Sequence, residues 1–145
     1  MAKVRTNIEI EDVYVEAIKS RYGVHTKTEA VDLALRHLAG QPMTREQALA
    51  RVAQLKAEHP DARHVCWALL AGGQSAANDD GEPGGTAGRP MLDVLRHQDL
   101  QGVMASVVRY FGGVKLGAGG LVRAYTDAVA QALLTADKIP LVRKT

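Results

Sequence analysis

The sequence predicts an α+β fold with helices on one face of a small sheet. Three observations carry that expectation. Two apolar runs of strand length, Val65 to Leu70 and Val103 to Val108, are separated by helical patterns. A long amphipathic stretch follows the second run, with Leu121, Tyr125, Ala128, Val129 and Leu133 on one side. A strand-helix-helix pattern of about forty residues precedes the whole. With 145 residues and 46% hydrophobic content, the chain is long enough to bury a core and too apolar to be disordered. Only six residues are Phe, Trp or Tyr, so Val, Leu and Ala must fill that core.

Residues 4 to 10 alternate: Val4, Thr6, Ile8 and Ile10 point one way, and Arg5, Asn7 and Glu9 the other. That is the period of a half-buried strand. Residues 12 to 22 read as a helix with Val15 and Ile18 inward, ended by Gly23. Thr26 and Glu29 form a capping-box pattern that opens a second helix, with Ala30, Ala34, Leu35 and Leu38 on one face. Gly40-Gln41-Pro42 closes it, and a boundary is expected there: residues 1–41 as one segment and 42–145 as a domain. So short a first segment cannot bury its own apolar stripe, and must pair with another copy or pack on the rest of the chain.

Thr44 and Gln47 form another capping box, opening a helix to about Ala57 that His59-Pro60 stops. Then come the first apolar strand, a Gly-rich loop from Gly72 to Gly88, and a short helix begun by Pro90 with Leu92 and Leu95. The second apolar strand follows, then a Gly-rich turn (Phe111 to Gly120), the helix from about Gly120 to Ala136, and a final strand from Ile139 to Val142.

Eleven of the fourteen glycines lie in residues 72–88 and 112–120. Glycine is costly in ordered backbone, so such loops bring N–H groups close to one another or to a ligand. Neither loop is a nucleotide-binding fingerprint. The second joins Arg109 and Tyr110 to Lys115 and runs to a helix N-terminus at Gly119-Gly120, where the dipole favours an anion. Arg109, Lys115 and Arg123 therefore read as phosphate contacts, with Tyr110 or Phe111 as a stacking platform. Equally open is that Arg109 and Arg123 pair with Asp79 or Asp80 and lock the two loops. In the first loop Asp79, Asp80, Glu82, Thr86 and Arg89 are the candidates for loop support.

Catalysis has little to stand on. Asp79, Asp80 and Glu82 with His64 could hold a divalent ion, but acidic turns more often face solvent or cap backbone groups. Ser75 and Ser106 lack a nucleophile's setting, and His37 and His97 sit on helical polar faces. The single cysteine, Cys66, lies in an apolar run and reads as a buried structural residue; it excludes an internal disulfide. No catalytic residue, metal site or cofactor is expected. The formal charge of +2 is too small to prove a polyanion partner, although residues 109–145 hold six basic side chains against Asp127 and Asp137. No secretory signal or membrane-spanning run is visible, so a cytoplasmic protein without a membrane partner is expected.

Two resemblances sharpen these readings. His59-Pro60-Asp61-Ala62-Arg63-His64, Asp79-Asp80-Gly81-Glu82-Pro83, Gly85-Thr86-Ala87-Gly88, Arg109-Tyr110-Phe111-Gly112-Gly113, Leu116-Gly117 and Gly119 to Tyr125 stand in order. As a block, this resembles the N-terminal domain of the IMPACT/YigZ family over about residues 42–145. The resemblance implies a fold like that of ribosomal small-subunit proteins, a link to translation regulation with RNA or the ribosome as partner, and no established catalysis. The family's opening strand is missing or replaced, with residues 4–10 as the candidate replacement: Lys19-Ser20-Arg21-Tyr22 is similar but too far upstream. Nor do these residues include the second, ferredoxin-like domain of bacterial members. Arg5 to Ile10, Arg21 to Val24 and Thr26 to Leu38 resemble the ribbon-helix-helix antitoxins of the VapB type, over about residues 1–50. That resemblance implies a homodimer whose paired strands enter a DNA major groove, with Arg5, Asn7 and Glu9 facing the bases of an operator, and a toxin protein as a further partner.

Overall fold

The computed structural model describes residues 3–71, 73–110 and 115–138. The chain divides between Gln41 and Pro42 into two compact units.

In the first unit, helix α1 (Asp12–Tyr22) ends at Gly23, whose left-handed backbone lets its N–H reach the Lys19 carbonyl. Helix α2 (Lys27–Ala39) is capped by Thr26, whose hydroxyl accepts the Glu29 N–H at 3.0 Å. Both helices thus stand where the capping signals put them. The strand expected at 4–10 does not form: those residues carry no regular structure and join no sheet. An alternating segment is a strand only when another strand takes up its backbone groups, and the chain offers it none among the described residues. The shared apolar face of α2 is also only partly covered. Ala30 is buried, but Leu35 and Leu38 stand exposed, as do Val4 and Ile8. Two short helices have too little surface to enclose them.

The second unit opens with α3 (Arg45–Glu58), whose N-terminus carries the full capping box of Thr44 and Gln47. Strands β1 (His64–Ala71) and β2 (Gln74–Asn78) pair antiparallel, from Trp67 opposite Asn78 to Ala71 opposite Gln74. Helix α4 (Gly88–His97) follows, then β3 (Val103–Arg109) and α5 (Gly117–Thr135). The sheet order is β2-β1-β3, with β3 antiparallel to β1 from His64 opposite Arg109 to Leu70 opposite Val103. The fold is α+β. Strand β2 occupies what reads from sequence as glycine-rich loop. Its Gln-Ser-Ala-Ala-Asn run has no apolar alternation because this edge strand is mostly exposed. The strand expected at Ile139–Val142 lies outside the described residues.

The helices are shared between both sheet faces rather than gathered on one. Cys66, Ala68 and Leu70 of β1, with Val103, Ala105 and Val107 of β3, pack on α4 and α5 around Met91, Leu95, Leu121, Tyr125 and Val129. Val65, Trp67 and Leu69, with Met104 and Val108, pack on Ala48, Val52 and Leu55 of α3. The reason is in the central strand: β1 is apolar from Val65 to Leu70 and buries both faces, so it needs a cover on each.

Two glycines are set by close approach. A Cβ on Gly88 would lie 2.7 Å from the Asn78 amide nitrogen, so the start of α4 can rest on the end of β2 only without a side chain there. Gly102, at φ +63, would bring a Cβ to 2.6 Å from Cα of Pro42, where the chain entering α3 crosses the start of β3.

Candidate functional site

The loop from Asp79 to Ala87 lies at the end of the sheet where β2 leaves and β3 arrives, and its three acids have three different tasks. Asp79 turns back to the start of α4: its carboxylate accepts N–H groups of Gly85 at 3.0 Å, Ala87 at 3.2 Å and Gly88 at 2.8 Å. Ala87 offers α4 no side-chain cap, so Asp79 caps that helix from a distance. Partial burial pushes its carboxyl up, but the three N–H donors outweigh this and hold it below the ordinary 3.8.

Asp80, at φ +43, lies against the start of β1. Its carboxylate accepts the Val65 N–H at 2.7 Å and faces Lys56 Nζ at 3.3 Å, while its carbonyl accepts from His64 Nδ1 at 2.7 Å.

Glu82 goes inward, with only 4% of its side chain exposed. Arg109 Nη1 donates to both of its oxygens, at 2.9 and 2.7 Å. The Tyr125 hydroxyl donates to Oε2 at 2.7 Å, and His64 Nε2 lies 3.1 Å from Oε1. Beneath it, Cys66 Sγ lies 3.3 Å from the Tyr125 hydroxyl and 3.1 Å from the Asp79 carbonyl. Burial, and after it the hydrogen bonds to Cys66 and Glu82, drive the Tyr125 hydroxyl well above its usual range. Burial likewise pushes the Cys66 thiol up to about 11; the Tyr125 hydrogen bond opposes this, and the carboxylates of Glu82, Asp80 and Asp79 add to it. A thiol so held is protonated at neutral pH and is no nucleophile.

The network joins the acidic loop to the end of β3, through different residues from those expected. Arg109 pairs with Glu82, not with Asp79 or Asp80, whose short side chains are already held by the start of α4 and the start of β1. Arg123 is paired with neither. Thr86 is buried and its hydroxyl donates to the Pro83 carbonyl; Arg89 stands exposed without a bond among the described residues. Glu82 as the buried centre, with His64, Cys66 and Tyr125 around it, escapes sequence reasoning. A glutamate between Gly81 and Pro83 looks like any solvated turn acid, and only the apolar setting of Cys66 and Tyr125 hints at the interior it enters. The carboxylate oxygens that might have met a metal face N–H and O–H donors instead, and no group of three or more His, Cys, Asp or Glu is arranged for a metal ion among the described residues.

The cationic candidates divide. Arg109 shares the α5 side of the sheet with Val103, Ala105 and Val107, whereas Tyr110, one residue on, falls on the α3 side. There its hydroxyl lies 2.8 Å from His59 Nδ1 at the end of α3. The single patch expected for Arg109 and Tyr110 is thus split by strand alternation. Lys115 and Arg123 are exposed, and no ion pair forms at either among the described residues. Helix α5 starts at Gly117, earlier than Gly119-Gly120; its first turn has no acid and no side-chain cap. The Arg123 guanidinium folds back over that turn: Nη1 would lie 3.6 Å from a Cβ on Gly119. Arg5, Asn7 and Glu9 are all exposed.

Removing the distant cap should be measurable. Replacing Asp79 with Ala is expected to destabilise by about 0.5–2 kcal/mol, the range for helix N-caps. Because the Asp79 carboxyl is depressed, its stabilisation is complete above the ordinary 3.8 and is lost as pH falls through its lower folded value. Urea unfolding at several pH values should therefore show the gap between the parent and Asp79→Ala closing only in that acidic window. A gap that stays constant there would disprove the cap.

Comparisons with known proteins match two stretches of the chain, which overlap at residues 37–51. The family model described as the Impact N-terminal domain matches residues 37–133, and that of the bacterial VapB antitoxin of type II TA systems matches residues 4–51. An IMPACT family member of Haemophilus influenzae is 50% identical over 105 residues, covering 69% of this chain and 51% of that protein. IMPACT family member YigZ of Escherichia coli is 50% identical over 108 residues, covering 69% and 53%. The chain thus spans about half the length of these relatives. Antitoxin VapB15 of Mycobacterium tuberculosis is 54% identical over 46 residues, covering 32% of this chain and 58% of the antitoxin. A solved structure titled as the crystal structure of a hypothetical protein superposes with a TM-score of 0.63 at 49% identity, over 66% of this chain and 48% of that one. No described helix is long and apolar enough to cross a membrane. The chain belongs to the IMPACT family through its N-terminal domain, and ahead of that domain it carries a segment similar to the VapB antitoxins.

Proposed function

We propose that this is a non-enzymatic, cytoplasmic RNA-binding protein, associated with the ribosome and acting in translation regulation through a domain of residues 42–145. One observation carries the reading: Lys115 and Arg123 are exposed cations without a protein partner among the described residues, around the uncapped first turn of α5. Free N–H groups and two unneutralised charges suit a phosphate. Replacing Lys115 or Arg123 with Ala should weaken affinity for single-stranded RNA by about 1 kcal/mol each, the net scale of a hydrogen bond in water. If the double variant binds RNA as the parent does, the reading fails.

A second reading is an antitoxin-like dimer that binds operator DNA and occupies a toxin through residues 1–41. It is favoured by the exposed apolar side chains Val4, Ile8, Leu35 and Leu38, with Arg5, Asn7 and Glu9 alternating along the same segment. In such a dimer the segment would gain from a second copy the strand partner it lacks among the described residues.

A further inference from the structure

The α3 side of the sheet end holds an aromatic ring prepared for a flat ligand. Tyr110 is 51% exposed, yet it is not a loose surface ring. Its hydroxyl is tied to His59 Nδ1 at 2.8 Å, and the ring centroids are 5.9 Å apart with planes at 75°. A contact made through the hydroxyl and a ring nitrogen is rim to rim, so His59 fixes the Tyr110 ring without covering its faces. His59 is itself held, as the residue that ends α3, with its N–H on the Leu55 carbonyl. The Arg63 N–H meets the Arg109 carbonyl at 2.9 Å, so Arg63 stands beside Tyr110 across the strand pair.

We propose that Tyr110 is a stacking residue for an unpaired base of single-stranded RNA, with His59 as the positioning residue that fixes its ring. The inference rests on the RNA reading above and adds the part of the nucleotide that phosphate contacts ignore. A fixed, half-exposed ring takes any base, because every base has a π-face.

The test compares binding of the full chain to an oligouridylate and to an abasic strand with the same number of phosphates, at low salt. Tyr110→Ala should weaken oligouridylate binding about tenfold, within the range for base–aromatic stacking, and leave the abasic strand unaffected. Tyr110→Phe and His59→Ala, which keep the ring but release it, should show the same smaller loss, again confined to the strand with bases. Unfolding curves of the variants verify that the domain stays folded, as expected for a half-exposed position. The inference is overturned if Tyr110→Ala leaves oligouridylate binding unchanged, or weakens both strands equally. If the parent binds both strands alike and loses both with Lys115 and Arg123, the RNA reading stands and the stacking residue does not. If the parent binds neither strand, both fall.

Discussion

Glu82→Ala should cost about 3–5 kcal/mol of folding stability, the effect of breaking a buried ion pair by removing one partner. The Arg109 guanidinium would lose both of its carboxylate contacts, and the Tyr125 hydroxyl, already deep in the core, would lose its acceptor. Glu82→Gln separates charge from shape. It keeps an oxygen for Tyr125 but turns an amide N–H₂ toward the guanidinium, so it should lie between the parent and the Ala variant. Native stability is commonly only about 5–15 kcal/mol, so Glu82→Ala takes a large part of it. Chemical unfolding of the three proteins, with slopes compared to show that the same surface is exposed, decides the matter. A loss below about 1 kcal/mol for Ala would mean that the Glu82–Arg109 pair behaves as an exposed ion pair and does not hold the acidic loop to the end of β3.

The second large effect belongs to the first unit. If residues 4–10 pair with a second copy, Ile8→Lys puts a charge at the centre of the paired strands and should abolish dimerisation. Ile8 is 64% exposed in the single chain, so the same change should do little to the folding of a monomer. That asymmetry makes it informative: sedimentation should show a parent dimer and an Ile8→Lys monomer, with helical content preserved. A parent that sediments as a monomer at high concentration removes the antitoxin-like reading, and with it the role of Arg5, Asn7 and Glu9 as base contacts.

Most helices could be read from the sequence because their ends are chemically marked. Thr26, Thr44, Gly23 and His59 do their work within one turn of the residues that announce them. Strands β1 and β3 were legible as apolar runs, though not the consequence that such runs need a helix on each face. Strand β2 was not, because an exposed edge of small polar residues has no hydrophobic period. The tasks of the three loop acids were beyond reach for another reason. Asp79, Asp80 and Glu82 are chemically alike in sequence, and only the backbone turns at Asp80 and Gly81 send one to a helix start, one to a strand start and one into the core. Strand alternation could have separated Arg109 from Tyr110 beforehand, had the end of β3 been known. The segment 4–10 fails differently: its pattern is that of a strand, but forming one depends on a partner strand, and the described residues offer it none.

The central claim, that the exposed cations at the start of α5 meet RNA phosphates, is tested most directly by a salt titration of affinity for a single-stranded RNA, on the parent and on the Lys115→Ala, Arg123→Ala double variant. Each phosphate contact on a single strand contributes about 0.7 to the slope of log affinity against log salt. The parent should bind at low salt with a steep negative slope, and the double variant should bind more weakly with a slope flattened by about 1.4, two such contacts. No binding by the parent at low salt, or an unchanged slope in the double variant, would contradict the account.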